Sequence, residues 1–144
     1  MLRACYEGGV RVYEYTNRGP HALVIFTELQ RFVEAGYPDL LLGAGTIFQP
    51  DDAERFIAAG ADFIVSPVIS PEVCAVCARH DLAWLPGAQT LNEIYQALQL
   101  GADIVKIFPA SHLGPAYIKT LRGPLPEVPL LVSGGVQPDP AALA

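Results

Sequence analysis

The chain has 144 residues, 51% of them hydrophobic, which is enough for one domain with a real core and too little for two of ordinary size. Nine Lys and Arg against fifteen Asp and Glu give a net charge of -6. Because an acidic surface repels nucleic-acid phosphates and anionic lipids, these values argue against binding to nucleic acids or membrane surfaces.

The sequence has neither an apolar run of about 18 residues nor a basic-then-apolar leader, so we expect a soluble, cytoplasmic protein. Cys5, Cys74 and Cys77 suggest no disulfide framework, which fits that compartment. Cys74 and Cys77 form a C-x-x-C pattern, but it lies in a helical stretch and lacks a second pair of zinc ligands. We interpret these two thiols as small apolar side chains on one helix face.

Short apolar runs alternate with amphipathic stretches along the chain, and this alternation predicts strands and helices. In chain order they are a helix at 2–7, strands at 10–15 and 40–43, a helix at 50–59, a strand at 62–66, a helix at 71–79, a strand at 83–85, a helix at 91–100, and strands at 103–108 and 130–133. Residues typical of helix starts and ends support these bounds: Pro20, Pro50, Ser70 and Thr90 at starts, and Gly36, Gly60 and Gly101 at ends. Gly-Ala-Asp recurs at 60–62 and 101–103, each time before a strand, which indicates a repeated βα unit.

Apolar strands joined by helices predict a parallel sheet covered by helices. A dinucleotide-binding sheet needs G-x-G-x-x-G, but Phe48 stands at the third glycine position after Gly43 and Gly45. We therefore predict a (β/α)8 TIM barrel, as a single partial domain over 1–144. A closed barrel needs eight βα units and about six are present, so we expect the first strand and the last unit to be missing.

Catalytic groups of such barrels lie at the carboxyl ends of the strands, and one lysine lies within an apolar strand there. Lys106 is flanked by Ile104, Val105 and Ile107, and Lys119 is the only other lysine. Burial favours the neutral amine, which is the form that attacks a carbonyl to make a Schiff base. The alternative is a lysine that pairs with a carboxylate or extends to the strand end.

Glu14 interrupts another apolar strand and is the expected partner of Lys106. Val12 and Glu14 share one strand face, while Tyr13 and Tyr15 share the other. A carboxylate among apolar neighbours can transfer protons near neutral pH, as Schiff-base chemistry requires. A structural ion pair between Glu14 and Lys106 is equally compatible with the sequence.

Two further segments suggest anion binding. Arg18, just past the strand of Glu14, carries a guanidinium suited to a substrate carboxylate. In the turn Ser133-Gly134-Gly135, backbone N–H groups can approach a phosphate, although a plain turn fits as well. His21, His80 and His112 show no metal-ligand spacing.

With these residues identified, the chain resembles the 2-keto-3-deoxy-6-phosphogluconate (KDPG) and 4-hydroxy-2-oxoglutarate (KHG) aldolase family. The matching segments occur in one order: GGVRVYEYTNR at 8–18, GAGT at 43–46, GADFIVSP at 60–67, LPG at 85–87, GADIVKIFPA at 101–110 and SGGV at 133–136. The lysine segment together with the segment of Glu14 and Arg18 makes the resemblance specific. Ser133 stands where threonine is usual in the family.

The resemblance implies a class I aldolase that cleaves KDPG or KHG to pyruvate and an aldehyde, with Lys106 as the Schiff-base lysine and Glu14 as the general acid/base. It implies that Arg18 and Thr46 hold the pyruvoyl end and that Gly134 and Gly135 belong to the phosphate site. Further substrate contacts are implied at Pro67, Pro86, Phe108 and Ser133. It also implies homotrimers that need no cofactor and no metal.

Two other functions fit the residues. The chain could be a phosphate-binding barrel isomerase or decarboxylase, in which Lys106 stabilises charge without forming a covalent bond. It could also be a truncated, inactive paralogue that serves as a binding or assembly partner. Trapping of a covalent adduct on Lys106 distinguishes the aldolase from both.

Overall fold

The computed structural model describes residues 1–136, and strands alternate with helices over this range. The helices are α1 (Leu2–Glu7), α2 (Ala22–Gly36), α3 (Pro50–Ala58), α4 (Pro71–Arg79), α5 (Leu91–Gln99) and α6 (Gly114–Leu121). The strands are β1 (Val12–Thr16), β2 (Leu41–Gly45), β3 (Phe63–Ser66), β4 (Ala83–Ala88), β5 (Val105–Ile107) and β6 (Leu130–Val132). The predicted helices at 2–7 and 71–79 are confirmed at both ends.

The six strands form one parallel sheet in the sequential order β1 to β6, curled into part of a barrel. The predicted barrel architecture with about six βα units is therefore confirmed. The predicted domain extends to residue 144, and its residues 137–144 lie outside the described part of the chain.

Helix starts follow the signals in the sequence. The Ser70 side chain accepts a hydrogen bond from the Val73 N–H at 3.2 Å and caps α4. At α5, Thr90 and Glu93 form a reciprocal capping box. Gly60 and Gly101, which follow α3 and α5, have φ of 94° and 91°, a backbone conformation that favours glycine.

The repeated Gly-Ala-Asp tripeptide has a structural role that the sequence did not reveal. In its first copy, Asp62 Oδ2 accepts a hydrogen bond of 2.7 Å from the Leu42 N–H on the preceding strand. In the second copy, Asp103 Oδ2 accepts one of 3.1 Å from the Trp84 N–H. Each aspartate thus fixes the amino end of its strand against the strand before it. β5 is shorter than the predicted strand at 103–108, and Asp103 lies just before it.

The main core lies between the sheet and the helices. Its largest fully or almost fully buried side chains are Phe26, Phe56 and Trp84. Cys77 of α4 packs into this core, and its burial raises the pKa of the thiol to about 12. The half-buried Cys74 thiol donates a hydrogen bond to the Leu100 carbonyl. The interpretation of the C-x-x-C pattern as helix packing is supported by these contacts.

A small apolar cluster lies on the concave side of the sheet. Phe63 and Val65 of β3 pack there against Leu85 of β4, with Ala83 and Ile104 at the edge. These residues alternate along their strands with residues of the main core, as expected for a pleated sheet. Within residues 1–136, no helix is long and apolar enough to cross a membrane.

Candidate active site

Lys106 lies on β5 between Val105 and Ile107, which are fully buried in the core beneath the helices. Because side chains alternate along a strand, Lys106 points to the concave side of the sheet. Its side chain is only 8% exposed. The sequence-based expectation of a buried lysine in this strand is confirmed.

Glu14 projects from β1 to the same concave side. Tyr13 and Tyr15 on either side of it pack against the helix-covered core. The Glu14 Oε1 atom lies 3.5 Å from the Lys106 Nζ atom, and the Glu14 side chain is 25% exposed. The two groups therefore meet, as the sequence analysis expected, with one side of the carboxylate open to a substrate or to water.

Three glycines lie on the strands beside this pair, at positions where a larger residue would collide with its neighbours. Gly43, Gly45 and Gly87 are buried on the strands, and Gly87 pairs with Lys106 in the register of β4 and β5. A Cβ atom at Gly87 would lie 2.2 Å from the Pro67 carbonyl oxygen, so no larger residue fits without a shift of backbone. The glycine therefore allows Pro67 to pack closely against β4 next to Lys106.

Phe108 supplies one wall beside the lysine. Its ring centroid lies 5.1 Å from the Lys106 Nζ atom, close enough for a cation–π contact with the ammonium form. The Phe108 N–H bonds to the Ala88 carbonyl at 3.0 Å, which holds the chain after β5 against the end of β4. Phe108 thus lies next to the lysine, and its expected contact with a substrate stays a prediction.

Thr46 follows β2 in a strained backbone conformation, with φ of 63°. Left-handed φ values are costly for a β-branched residue and are found where the surrounding structure enforces them, often at functional sites. The neighbouring Asn17 N–H bonds to the Gly45 carbonyl at 2.7 Å, so the ends of β1 and β2 are held together here. The strain at Thr46 is consistent with its predicted contact with a substrate.

Arg18 lies just beyond this junction and is exposed. Its N–H bonds to the Thr16 carbonyl at 2.9 Å, which turns the chain at the end of β1. None of the ion pairs found within residues 1–136 involves its guanidinium. The structure thus places Arg18 at the rim on the side of Glu14, where contact with a substrate carboxylate stays a prediction.

The turn at Ser133, Gly134 and Gly135 lies against the segment that follows Lys106. Gly134 and Gly135 have φ of 86° and 84°, and a Cβ atom at Gly134 would lie 2.9 Å from the Phe108 ring. The Ala110 N–H bonds to the carbonyl oxygens of Ser133 and Gly134. The predicted anion-binding turn is therefore next to Phe108 on the lysine side of the sheet.

The two prolines named by the resemblance occupy different positions. Pro67 is half-buried and lines an open cleft of about 570 Å³ together with Gly87 and Phe108. Pro86 is buried and is paired with Ser66, whose hydroxyl bonds to the Trp84 Nε1–H in the helix-covered core. By strand alternation Pro86 faces the helices, so its expected contact with a substrate stays a prediction.

Gln89 joins the ends of β4 and β5, which the sequence analysis did not anticipate. Its Nε2 atom donates to the Pro109 carbonyl at 3.3 Å, and its backbone N–H donates to Glu93 at 2.8 Å. The Tyr117 hydroxyl donates to the Gln89 carbonyl. The backbone N–H groups of Gln89 and Thr90 lower the pKa of the Glu93 carboxyl. A glutamine in a polar loop gives no sequence signal for such a role.

A model of the KDPG and KHG aldolase family matches residues 1–142. The chain belongs to this family. A 2-dehydro-3-deoxy-phosphogluconate aldolase of Treponema pallidum is 36% identical over 137 residues, which are 94% of this chain and 63% of that protein. A 2-dehydro-3-deoxy-6-phosphogalactonate aldolase of Escherichia coli is 37% identical over 108 residues, covering 74% of this chain and 53% of that one.

Solved structures of the family share the fold described above. A KDPG aldolase of Legionella pneumophila with pyruvate captured as a covalent carbinolamine superposes with a TM-score of 0.84 at 31% identity, over 94% of this chain and 64% of that chain. The chain spans less than two thirds of the length of these relatives.

Proposed function

We propose that this chain carries the Schiff-base centre of a class I aldolase that cleaves KDPG or KHG. The observation that carries the proposal is the meeting of Lys106 and Glu14, with 3.5 Å between Nζ and Oε1 on the concave side of the sheet. A buried amine beside a partly exposed carboxylate is the pair that carbonyl addition and proton transfer require. The related Legionella pneumophila enzyme, with pyruvate held as a carbinolamine, supports the same chemistry.

In the proposed reaction the neutral Lys106 amine adds to the C2 carbonyl of the substrate and forms a carbinolamine. Glu14 then donates a proton to the departing hydroxyl, and water leaves to give a protonated imine. This cation accepts the electron pair of the C3–C4 bond, while Glu14 takes the proton of the C4 hydroxyl and the aldehyde departs. Protonation of the remaining enamine at C3 and hydrolysis release pyruvate and restore the amine.

The groups around the pair would hold the two ends of the substrate. Arg18 and Thr46, at the ends of β1 and β2, would bind the pyruvoyl carboxylate, since a guanidinium pairs well with a planar anion. The turn at Ser133, Gly134 and Gly135 would bind the phosphate of KDPG through backbone N–H groups. Pro67 and Phe108 would bound the space between these ends. No cofactor and no metal take part in the proposed reaction.

The test is reduction with borohydride in the presence of pyruvate. A reduced three-carbon adduct is expected on Lys106, because hydride reduces the imine to a stable secondary amine, and peptide mass spectrometry locates it. Lys119, the second lysine of the chain, is exposed on α6 and serves as an internal control that should stay unmodified. Lys106→Met should abolish the adduct and lower turnover by several orders of magnitude.

An unmodified Lys106 in folded protein would contradict the proposal. Turnover of a phosphorylated substrate without trapping would instead favour the isomerase or decarboxylase, and cooperative folding without either would favour a binding or assembly partner. We further propose a cytoplasmic homotrimer acting on small 2-keto acids. Light scattering on the purified protein would test the trimer.

A further inference from the structure

Gly45 lies at the carboxyl end of β2, directly beside the strand that carries Glu14. In the register of this pair, Thr16 faces Gly45 and Glu14 faces Gly43. Gly45 is buried, and it is not among the residues with positive φ. Its backbone conformation is therefore open to any L-residue, and the need for glycine has to come from the space above it.

That space is occupied by the carboxylate of Glu14. A Cβ atom at position 45 would lie 1.8 Å from Glu14 Oε1, 2.5 Å from Cδ and 2.8 Å from Cγ. The first of these distances is far shorter than a van der Waals contact, so a Cβ atom at position 45 would clash with Glu14 Oε1 where it now lies. The same Oε1 atom is the one that lies 3.5 Å from Lys106 Nζ. Because Gly45 has no side chain, the Glu14 carboxylate can occupy the space above it and reach Lys106.

We propose that Gly45 is a positioning residue, whose lack of a side chain sets the place of the Glu14 carboxylate beside Lys106. The inference rests on the proposed roles of Lys106 and Glu14. It adds a residue that touches neither substrate nor amine and acts on the reaction only through Glu14. A methyl group at position 45 would displace the general acid/base while the lysine stays in place.

Gly43, two residues earlier on the same strand, shows what a purely structural glycine looks like. A Cβ atom there would lie 2.2 to 2.4 Å from three atoms of the Phe63 ring, which is buried in the apolar cluster of the concave side. A packed ring cannot move aside, whereas the end of the partly exposed Glu14 side chain can. Gly43→Ala should therefore lower stability, and Gly45→Ala should mainly lower activity.

The first experiment compares Gly45→Ala with the wild-type protein and with Gly36→Ala, whose added methyl group meets no atom within 4 Å at the end of α2. For Gly45→Ala we expect kcat to fall at least about tenfold, because misplaced general acid–base groups lose much of their contribution. The melting temperature should stay within about 3 °C of wild type, since only a side-chain end moves. Wild-type kcat in Gly45→Ala would overturn the proposal.

The second experiment asks whether the effect passes through Glu14. In a Glu14→Ala background no carboxylate remains above position 45 to be displaced. Gly45→Ala should therefore change the residual rate of borohydride trapping by less than about twofold. A structural role of Gly45 would instead give the same fold-loss in both backgrounds, and that result would overturn the proposal.

A crystal structure of Gly45→Ala gives a readout that does not depend on catalysis. We expect the Glu14 carboxylate to be displaced and its ion pair with Lys106 to be broken; an undisplaced carboxylate would overturn the proposal. If the wild-type protein is not trapped by pyruvate, yet Gly45→Ala displaces Glu14, the proposed function fails while the positioning role of Gly45 holds.

Discussion

The two sides of the curled sheet are built for different purposes. On the side of the helices, the sheet belongs to a core of large apolar side chains such as Phe26, Phe56 and Trp84, all buried to 98% or more. On the concave side a smaller cluster around Phe63 and Leu85 is packed, and beyond it lie the buried Lys106 and the partly exposed Glu14. Dense packing stabilises the first side, and the second side holds the buried amine and the carboxylate on which the proposed chemistry depends. Substitutions on the helix-covered side should therefore lower stability and leave the proposed chemistry intact.

Phe26→Ala, on the helix-covered side, should cause the largest loss of stability. Phe26 is fully buried and packs edge-on against Phe56 at 5.1 Å between ring centroids, so its truncation removes buried area and leaves a cavity. We expect the free energy of unfolding to fall by about 3–5 kcal/mol, measured by urea denaturation. Phe32→Ala on the same helix is the matched control.

The Phe32 side chain is about half exposed, so its truncation should cost less than about 1 kcal/mol. At temperatures where Phe26→Ala is still folded, trapping of pyruvate on Lys106 should proceed at the wild-type rate. Equal stability losses in the two variants would contradict the assignment of the main core to the helix-covered side.

Ser66→Ala tests the same difference between the two sides of the sheet. Ser66 lies at the carboxyl end of β3, a position that by itself would suggest a catalytic role. Ser66 ends β3 next to Pro67, yet its hydroxyl is buried and accepts a 3.1 Å hydrogen bond from Trp84 Nε1. Its loss would leave the indole N–H without a partner, which costs about 1–3 kcal/mol. We expect lower stability in thermal unfolding and unchanged trapping of Lys106.

A Trp84→Phe background supplies the control for Ser66→Ala, because phenylalanine has no N–H to leave unsatisfied. There Ser66→Ala should cost less than about 0.5 kcal/mol. A loss of trapping with wild-type stability would show instead that the Ser66 hydroxyl acts on the reactive side.

Much of this division could be predicted from sequence. A lysine within an apolar strand and a glutamate that alternates with tyrosines, each near the carboxyl end of its strand, were sufficient to predict that Lys106 and Glu14 meet. Strand alternation then decides which side each group faces, and it requires only local information. The barrel architecture followed from the regular alternation of strands and helices.

Other features depend on contacts between distant strands. The role of Gly45 depends on the position of one Glu14 oxygen on the neighbouring strand, and a glycine at a strand end has the same sequence signal whether or not that contact exists. The buried orientation of Pro86 depends on its pairing with Ser66. The hydrogen bonds of Gln89 with Pro109 and Tyr117 involve residues twenty and twenty-eight positions away. Short-range patterns carry no information on such pairs.

The smallest predicted effect is a difference in alkylation rate between two cysteines, Cys77 and Cys5. Cys77 is 1% exposed, and burial raises the pKa of its thiol from 9.0 to about 12. At pH 8 it should therefore resist iodoacetamide, while the half-buried Cys5 should react faster. Mass spectrometry of peptides from briefly labelled protein measures the difference, and labelling in urea should abolish it.

The same thiol should give stability a dependence on alkaline pH. The folded state retains its proton up to about pH 12, whereas the unfolded thiol releases it near pH 9, so the contribution of Cys77 is complete below pH 9 and is lost as the pH rises toward 12. Cys77→Ala should remove that part of the decline in urea midpoint between pH 9 and pH 11. If Cys77 reacts as fast as Cys5 in folded protein at pH 8, the packing of α4 against the sheet is looser than its contacts indicate. The dense packing assigned to the helix-covered side would then not extend to α4.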